Sequence, residues 1–221
     1  MSTPRSAEVT TTLQQDVLTA LEGLRTALSN YKSQTRQPPT FIHEKTAPKL
    51  PANALAGTRV FPDRYSMMLA LARGPVGAEV GVQQGNFSRF LLDGLDLRTF
   101  HLFDMPNAPI RKDVKNAPQV TFHGGDSSTQ LAMLPDHCFD WIYIDGDHSY
   151  DGVRKDALVA LEKVRSGGLL FFNDYTPWSP GEAIPYGVIA LVNELICDRG
   201  LQMSAIALAP HGHFDVAVTA P

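Results

Sequence analysis

Ionisable side chains are concentrated in the stretch IDGDHSYDG, residues 144–152, which continues the apolar run FDWIY. Asp145 and His148 stand three residues apart there, and Asn173 and Asp174 follow the next apolar run, GLLFF. Carboxylate and amide oxygens from neighbouring strand ends suit Mg²⁺, which often takes only one or two carboxylates. Histidine accepts a proton near neutral pH. The pattern predicts that Asp145, Asn173 and Asp174 hold a metal ion and that Asp145 and His148 are catalytic, with His148 as the base.

Simpler roles remain open for the same side chains. Asp145 could cap the following helix, His148 could be a structural hydrogen-bonding residue, and Asp174 could shape the turn into YTPWSP. Asp147 and Asp151 are predicted to be helix-start or solvent-facing residues rather than ligands, because carboxylates favour the N-terminal end of a helix.

Glycine and acidic residues also follow the earlier apolar runs. Gly81 and Gly85 are spaced for a tight strand-to-helix turn, although not with the G-x-G-x-x-G spacing of dinucleotide-binding proteins. Asp104 ends the run TFHLFD, where its carboxylate could accept two hydrogen bonds from a ribose diol or could simply face solvent. Asp126 and Ser127 follow the third run and could lie at the edge of an adenine ring, but this pair alone indicates little.

From residue 60 onward, apolar runs of strand length alternate with helical segments. The runs are GAEVGV, TFHLFD, QVTFHG, DWIYID and GLLFFND. This alternation predicts a parallel sheet with helices on both faces. Two further runs, QMSAIALA and HFDVAVTA, have no helix between them and are expected to pair antiparallel. The predicted fold is α/β, with a doubly wound, mostly parallel seven-stranded sheet, an antiparallel C-terminal hairpin and an N-terminal helix.

The N-terminal residues show a different pattern. Residues 1–35 predict an amphipathic helix with apolar side chains at steps of four and three: Val9, Leu13, Val17, Leu21, Leu24, Leu28 and Tyr31. Such a stripe needs a covering surface, so the helix is expected to pack on the main domain or to join copies of the chain into a homo-oligomer. Residues 36–59 predict a proline-rich linker or surface arm, and residues 60–221 predict the main domain.

Composition narrows the classes of partner. The chain has 221 residues, a net charge of −4 and no long basic run, so nucleic acid is not expected to bind. No apolar stretch is long enough to cross a bilayer, and the N-terminus lacks the apolar region of a signal peptide. Cys138 and Cys197 have no metal-type spacing and suggest a reducing compartment. A cytoplasmic protein without a membrane partner is therefore expected.

Taken together, the motifs resemble a known family. Glu79, Gly81 and Gly85 fit the acidic-x-Gly-x-x-x-Gly opening of class I S-adenosylmethionine-dependent methyltransferases, which have a Rossmann-like fold. GAEVGVQQGNFSRFLL, IDGDHSYDGVRKDALVALEKVRSGGLLFFNDY and YGVIALVNEL…FDVAV resemble one branch, the small-molecule O-methyltransferases related to the macrocin and mycinamicin sugar enzymes. The resemblance covers residues 60–218. Gln83 stands where the commonest pattern has glycine.

The resemblance implies S-adenosyl-L-methionine as cofactor and a role for each motif residue. The implied cofactor residues are Gly81 and Gly85 at the methionine part, Glu79 acting through the turn, Asp104 at the ribose, and Asp126 and Ser127 at the adenine. In the macrolide-sugar enzymes, aspartate and an acidic pair at two strand ends hold a divalent ion, and a nearby histidine is the base. Asp145, His148 and Asp174 match by position, whereas Asn173 stands where an acidic residue is usual.

The sequence therefore predicts an enzyme that methylates a hydroxyl group of a small molecule, a sugar or secondary metabolite, with help from Mg²⁺ and a histidine base. A nicotinamide-dependent oxidoreductase and a non-catalytic cofactor-binding protein remain as alternatives. The acceptor pocket is expected between the arm from Arg36 to Arg64 and the loop from Tyr175 to Gly187. His211 and His213, on the last hairpin turn, could be loop surface or could contact a lid.

Overall fold

The chain divides into two compact units, one that ends at Ile42 and one that runs from His43 to Pro221. A computed structural model describes residues 4–210 and 212–221, so His211 lies outside the described residues. The first unit contains helix α1 (Pro4–Thr35) and a 3₁₀ turn at Thr40–Ile42. The second unit contains the sheet and the motif residues.

The second unit alternates strands and helices as the apolar runs predict. Its strands are β1 (Arg59–Phe61), β2 (Val76–Val80), β3 (Thr99–Asp104), β4 (Val120–Gly124), β5 (Phe139–Ile144), β6 (Val164–Phe172), β7 (Trp178–Ser179), β8 (Ile184–Pro185), β9 (Gln202–Ala207) and β10 (Asp215–Thr219). Its helices are α2 (Arg64–Leu71), α3 (Asn86–Gly94), α4 (Lys112–Lys115), α5 (Ser127–Ala132), α6 (Tyr150–Lys163) and α7 (Val188–Arg199), with a 3₁₀ turn at Ala52–Leu55.

One large sheet has the strand order β1-β9-β10-β6-β5-β2-β3-β4. Strands β4, β3, β2, β5 and β6 pair in parallel, whereas β10 is antiparallel to both β6 and β9. The predicted doubly wound α/β fold with an antiparallel C-terminal hairpin is therefore confirmed. The chain leaves β2 in one direction and returns to β5 on its other side, which makes the β2–β5 boundary the topological switch point.

The sheet has eight strands rather than the predicted seven. The additional strand, β1, pairs in parallel with β9 through Arg59↔Ala205 to Phe61↔Ala207. Three residues are too few to show the period-two alternation that marks a strand in a sequence. The strand forms because the edge of β9 offers free backbone partners, which is a tertiary effect.

The sheet separates two apolar layers. In β5, Ile142 and Ile144 join the layer that includes residues of α6 and α7, while Trp141 and Tyr143 join the layer that includes residues of α2 and α3. Successive side chains of a strand point to opposite faces, so one strand serves both layers. This packing fixes the strand ends, and with them the polar side chains at the carboxyl edge.

Helix α1 has exposed apolar side chains. Val9, Leu13, Val17 and Leu21 are each 55–59% exposed, and Leu24 is 46% exposed. Within the described part of the chain, no helix combines the length and the apolar character that crossing a bilayer would need.

Candidate active site

Two cavities open at the carboxyl edge of the sheet, next to the switch point. The first, called the carboxylate cavity, has a volume of about 520 Å³ and is lined by residues that include Arg64, Asp145, His148, Asn173, Asp174 and Asp215. The second, called the glycine-turn groove, has a volume of about 360 Å³ and is lined by residues that include Gly81, Asp104, Asp126 and Ser127. Gln83, Asp145 and Gly146 line both cavities, so the two meet at these residues.

The turn between β2 and α3 requires glycine at Gly81. This residue has φ +83°, and a Cβ atom there would lie 1.9 Å from the backbone oxygen of Asp145. Gly85 has φ +76° and is the N-cap of α3. The two glycines thus form the tight strand-to-helix turn that their spacing predicts, and Gly81 brings the turn against the end of β5.

Asp104 holds this turn through its carboxylate. Its Oδ2 accepts hydrogen bonds from the backbone N–H groups of Val82 at 2.8 Å and Gln83 at 2.7 Å, and its Oδ1 accepts one from Met105 at 2.6 Å. Gln83 has φ +49°, which non-glycine residues adopt uncommonly, so these bonds stabilise an unfavourable backbone conformation. A role for Asp104 at a ribose would be shared with this structural role.

Glu79 lies beneath the turn. It is 1% exposed and accepts a hydrogen bond from Oγ of Ser88 at 2.6 Å. Burial raises the pKa of Glu79 to about 8, although the Ser88 hydrogen bond and the charge of Arg64 oppose the shift. An effect of Glu79 on a ligand would therefore act through the turn.

Asp126 and Ser127 line the groove at the N-terminus of α5. Asp126 is the N-cap and accepts hydrogen bonds from Thr129 and Ser128, which lower its pKa. Ser127 donates to Oδ1 of Asp156 at 2.5 Å, and burial raises the pKa of Asp156 to about 6. Sequence reasoning did not single out Asp156, because an aspartate within a helical segment looks like a solvated residue.

His148 lies among the residues predicted to hold a metal. Its Nε2 is 3.2 Å from Oδ1 of Asn173, 3.5 Å from Oδ1 of Asp145 and 3.8 Å from Oδ2 of Asp174. Tyr186 stacks on the imidazole with ring centroids 4.6 Å apart. Four residues from two neighbouring strand ends therefore come together, as the parallel sheet implies.

The start of α6 explains the other acidic residues of the opening stretch. Ser149 is the N-cap and accepts a hydrogen bond from the N–H of Gly152 at 3.1 Å. Asp147 accepts one from the N–H of Ser149 at 2.9 Å, and Asp151 lies in the first helical turn. Asp147 and Asp151 are thus helix-start residues, as predicted, and Asp145 is not the cap.

Arg64 places a positive charge beside Asp145, and sequence reasoning assigned it no chemical role. Its Nη1 lies 3.7 Å from Oδ2 of Asp145 and 3.3 Å from Oη of Tyr143, and its guanidinium lies over the ring of Phe87. Burial raises the pKa of Asp145 well above its usual range, and Arg64 opposes that shift. Arg64 is fixed as the first residue of α2, whose N-cap is Asp63.

Tyr143, Asn173 and Asp215 form a buried hydrogen-bonded group. Tyr143 donates from Oη to Oδ2 of Asp215 at 2.5 Å, and Nδ2 of Asn173 lies 3.3 Å from both Oη of Tyr143 and Oδ1 of Asp215. Burial raises the pKa of Asp215 to about 6, while Tyr143 and Arg64 oppose the shift. Sequence reasoning missed Tyr143 and Asp215, although a polar side chain within each of two buried strands was a usable signal.

The donors predicted for Mg²⁺ already have other partners. The oxygens of Asp145, Asn173 and Asp174 converge on Nε2 of His148, and the second oxygen of Asp145 faces Arg64. Across residues 4–210 and 212–221, no group of three or more His, Cys, Asp or Glu side chains is arranged to hold a metal ion. These residues do not fit a divalent ion as they stand, so the structure does not support the predicted Mg²⁺ site.

The segments expected to form an acceptor pocket contribute to the carboxylate cavity. Arg64, at the end of the predicted arm, lines it, as do Glu182 and Tyr186 from the Tyr175–Gly187 loop. Tyr186 donates a hydrogen bond from its hydroxyl to Glu182 at 2.6 Å, and burial raises its pKa to about 12.

His213 also lines the carboxylate cavity. Its Nδ1 is 3.3 Å from Oδ2 of Asp174, which places that carboxylate between two imidazoles, His148 and His213. Asp174 has φ +53°, an uncommon conformation for a residue with a side chain. The His213 side chain is 19% exposed and therefore partly buried.

Comparison with known proteins agrees with this architecture. Residues 78–175, from β2 to just beyond β6, match the family model described as a methyltransferase domain. Comparison with curated proteins gives no match.

Solved structures share the arrangement of strands and helices. The N-methyltransferase NodS from Bradyrhizobium japonicum WM9 is 17% identical, and the alignment covers 72% of this chain and 94% of NodS with a TM-score of 0.52. An O-methyltransferase family protein from Burkholderia thailandensis is 13% identical over 71% of this chain and 54% of that protein, with a TM-score of 0.54. The chain has the class I methyltransferase fold.

A second NodS structure contains a ligand. It is a complex with S-adenosyl-L-homocysteine, is 15% identical, and aligns over 72% of this chain and 89% of NodS with a TM-score of 0.51. One of these solved structures is an N-methyltransferase and another is an O-methyltransferase family protein. The shared fold therefore does not identify the atom that accepts the methyl group.

Proposed function

We propose that this protein transfers a methyl group from S-adenosyl-L-methionine to a hydroxyl group of a small molecule, a sugar or a secondary metabolite. The observation that carries the proposal is the meeting of the glycine-turn groove and the carboxylate cavity at Gln83, Asp145 and Gly146. Methyl transfer needs a donor site and an acceptor site that open onto each other, and the base must face the acceptor side. His148 lines the carboxylate cavity.

The glycine-turn groove is the proposed cofactor site. Its carboxylates and hydroxyl, from Asp104, Asp126 and Ser127, suit the hydroxyl and amino groups of a nucleoside. Gly81 and Gly85 would line the methionine part, with Glu79 supporting the turn from below. When bound, the sulfonium cofactor supplies an electrophilic methyl group.

In the carboxylate cavity, the protein must position an acceptor hydroxyl and remove its proton. We assign the second task to His148, whose imidazole is held between Tyr186 and the oxygens of Asn173 and Asp145. Arg64, which lies 3.7 Å from Asp145, supplies a positive charge that would stabilise the negative charge developing on the acceptor oxygen. No step is assigned to Mg²⁺, because its predicted donors are engaged with His148 and Arg64.

Calorimetric titration with S-adenosyl-L-homocysteine, and separately with NADH, tests the cofactor. We expect micromolar binding of S-adenosyl-L-homocysteine, none of NADH, and at least tenfold weaker binding in Asp104→Asn than in the exposed control Asp96→Asn. Incubation with methyl-labelled S-adenosyl-L-methionine and a panel of sugars and hydroxylated metabolites then tests transfer. Binding of NADH alone would favour the oxidoreductase, and cofactor binding without transfer across the panel would favour the non-catalytic alternative.

We further infer that residues 1–35 are an oligomerisation element, residues 36–59 an arm, and residues 60–221 the methyltransferase domain. Exposed apolar side chains at coiled-coil spacing on α1, such as Leu21 and Leu24, support self-association. Light scattering on Leu21→Lys should show a smaller particle than on the polar-face control Glu22→Lys. If wild type and both variants all have the molecular mass of a single chain, this role is excluded.

A further inference from the structure

We propose that Asn173 is a positioning residue for His148: it holds a hydrogen on Nε2 and leaves Nδ1 of the imidazole as the proton acceptor. The role of Nδ1 as proton acceptor rests on the proposed function. The position of the hydrogen depends only on the hydrogen bonds around His148. It replaces the metal-binding role that the position of Asn173 suggested in the sequence.

The first step is the orientation of the Asn173 amide. Its Nδ2 lies 3.3 Å from Oδ1 of Asp215 and 3.3 Å from Oη of Tyr143. Tyr143 already donates its only hydroxyl hydrogen to Oδ2 of Asp215, so its oxygen can only accept further hydrogen bonds. An amide oxygen turned toward Asp215 and Tyr143 would meet acceptors alone, so the NH₂ group must face them.

The second step follows from the first, because the Asn173 carbonyl oxygen then faces His148. Oδ1 of Asn173 is the nearest polar atom to Nε2, at 3.2 Å, and the next are carboxylate oxygens of Asp145 at 3.5 Å and Asp174 at 3.8 Å. The Asn173 oxygen can only accept a hydrogen bond, whatever the charge of the two carboxylates. A bare Nε2 lone pair would face this oxygen at 3.2 Å, so Nε2 carries the hydrogen.

The third step concerns the other ring nitrogen. In the neutral imidazole only one nitrogen carries hydrogen, so Nδ1 keeps its lone pair. Among the residues that the structure describes, no hydrogen bond to Nδ1 of His148 is present. The imidazole stacks on the ring of Tyr186 with an angle of 14° between the two ring planes, which holds its orientation. The resulting geometry is the orienter–histidine arrangement of acid–base sites, with the amide in the orienting position.

This assignment explains why an amide stands at residue 173. A carboxylate there would place a further negative charge against Asp215 and beside Asp145 and Asp174, where like charges repel. It would also lose the two NH₂ contacts to Tyr143 and Asp215 that hold the side chain. A neutral group with one donor end and one acceptor end satisfies both neighbours.

Long-range ¹H–¹⁵N correlation of ¹⁵N-histidine-labelled protein reads the tautomer directly, without cofactor or acceptor. The His148 signals are assigned by their loss in His148→Gln. We expect a single Nε2–H tautomer in wild type and in the surface control Asn116→Leu, and a mixture of tautomers in Asn173→Leu. A wild-type Nδ1–H tautomer, or an unchanged Nε2–H tautomer in a folded Asn173→Leu variant, would overturn the proposal.

Tyr143→Phe provides a second test in case Asn173→Leu does not fold. The ring can keep its place beside Phe87, with centroids 4.7 Å apart, while the hydroxyl that accepts from Asn173 is removed. A larger Nδ1–H fraction than in wild type is expected, and an identical tautomer would contradict the role of the buried group.

Addition of Mn²⁺ to the labelled wild-type protein separates the two roles of Asn173. Stoichiometric paramagnetic broadening of His148, lost in Asn173→Leu, would restore Asn173 as a metal ligand and overturn the proposal. If S-adenosyl-L-homocysteine fails to bind while the Nε2–H tautomer is found, the proposed function fails and the positioning of His148 stands.

Discussion

The glycine-turn groove and the carboxylate cavity share three residues but are built in different ways. The groove is shaped by backbone: a turn of positive-φ residues, with Asp104 and Asp126 used to hold N–H groups. The cavity is shaped by side chains from β5, β6, β10 and α2 that hydrogen-bond or pair with one another. The turn of the groove therefore depends on residues 81–85 and on Asp104, 21 or 22 positions away, whereas the cavity depends on contacts across 72 and 79 positions.

The same difference separates the effects expected from mutation. Damage to the groove should act on folding and cofactor binding together, because its ligand-facing groups also maintain the turn. Damage to the cavity should act on catalysis with little change in cofactor affinity, because its groups contact each other and the acceptor side.

The largest effect is expected from Gly81→Ala. The new Cβ would lie 1.9 Å from the backbone oxygen of Asp145. This clash can be relieved only if the end of β2 or the end of β5 moves. We expect a loss of about 3–5 kcal/mol in the free energy of unfolding and loss of S-adenosyl-L-homocysteine binding. Gly167→Ala, at φ +72° with open space around it, is the matched control and should cost about 1–2 kcal/mol in urea unfolding. Equal losses in the two variants would show that backbone strain, and not the close approach, dominates.

The next effect tests the cavity. His148→Gln should lower the rate of methyl transfer about 100-fold while leaving the affinity for S-adenosyl-L-homocysteine within about twofold, because the residue removes a proton and does not line the groove. His137→Gln, at an exposed histidine before β5, should change neither quantity. Single-turnover rates with an acceptor from the panel provide the measurement, and a decrease of only a few-fold would remove His148 as the base.

Much of this organisation could be predicted from the sequence, and the exceptions have a physical pattern. The alternation of apolar runs predicts the sheet, and the parallel order brings Asp145, His148, Asn173 and Asp174 to one edge. The glycine spacing predicts the turn between β2 and α3. These features depend on neighbouring residues or on a general rule of parallel sheets.

The residues that sequence reasoning missed depend on contacts distant in the chain. Arg64 meets Tyr143 across 79 positions, and Tyr143 meets Asp215 across 72. No local period reports such a pairing, so the sequence alone assigns Arg64 to the end of an arm and Asp215 to an apolar strand. The Mg²⁺ prediction rests on oxygen ligands at two neighbouring strand ends, and the sequence does not show that Arg64 lies beside one of them, Asp145.

A smaller effect is expected from Glu79→Gln, which should change how the free energy of unfolding depends on pH. Burial raises its pKa from 4.5 to about 8, so the folded state holds a proton that the unfolded state releases between these values. Its contribution to stability is complete below pH 4.5 and is lost as the pH rises through 8. Between pH 6 and 8, wild type should lose about 2 kcal/mol relative to Glu79→Gln in urea unfolding.

Asp145, Asp156 and Asp215, whose pKa values burial also raises, are present in both proteins, so the difference between the two curves reports the change at Glu79. The exposed control Glu162→Gln should follow wild type across the whole range. Parallel curves for wild type and Glu79→Gln would mean that Glu79 is ionised in the folded protein, with Arg64 as its counter-charge.

The smallest effect is expected from removal of divalent ions. Chelation with EDTA should change the affinity for S-adenosyl-L-homocysteine, and the rate of methyl transfer, by less than about twofold. The reason is that the carboxylate cavity already contains a permanent cation, Arg64, which faces Asp145. Oδ1 of Asn173 and Oδ2 of Asp174 face Nε2 of His148. Arg64→Met removes that cation without adding charge, and should slow methyl transfer in EDTA, with partial recovery in Mg²⁺ as the freed Asp145 becomes available. A wild-type protein that loses activity in EDTA and regains it in Mg²⁺ would show instead that the acceptor rearranges these side chains into a metal site, and that the cavity, unlike the groove, is completed only when its ligand binds.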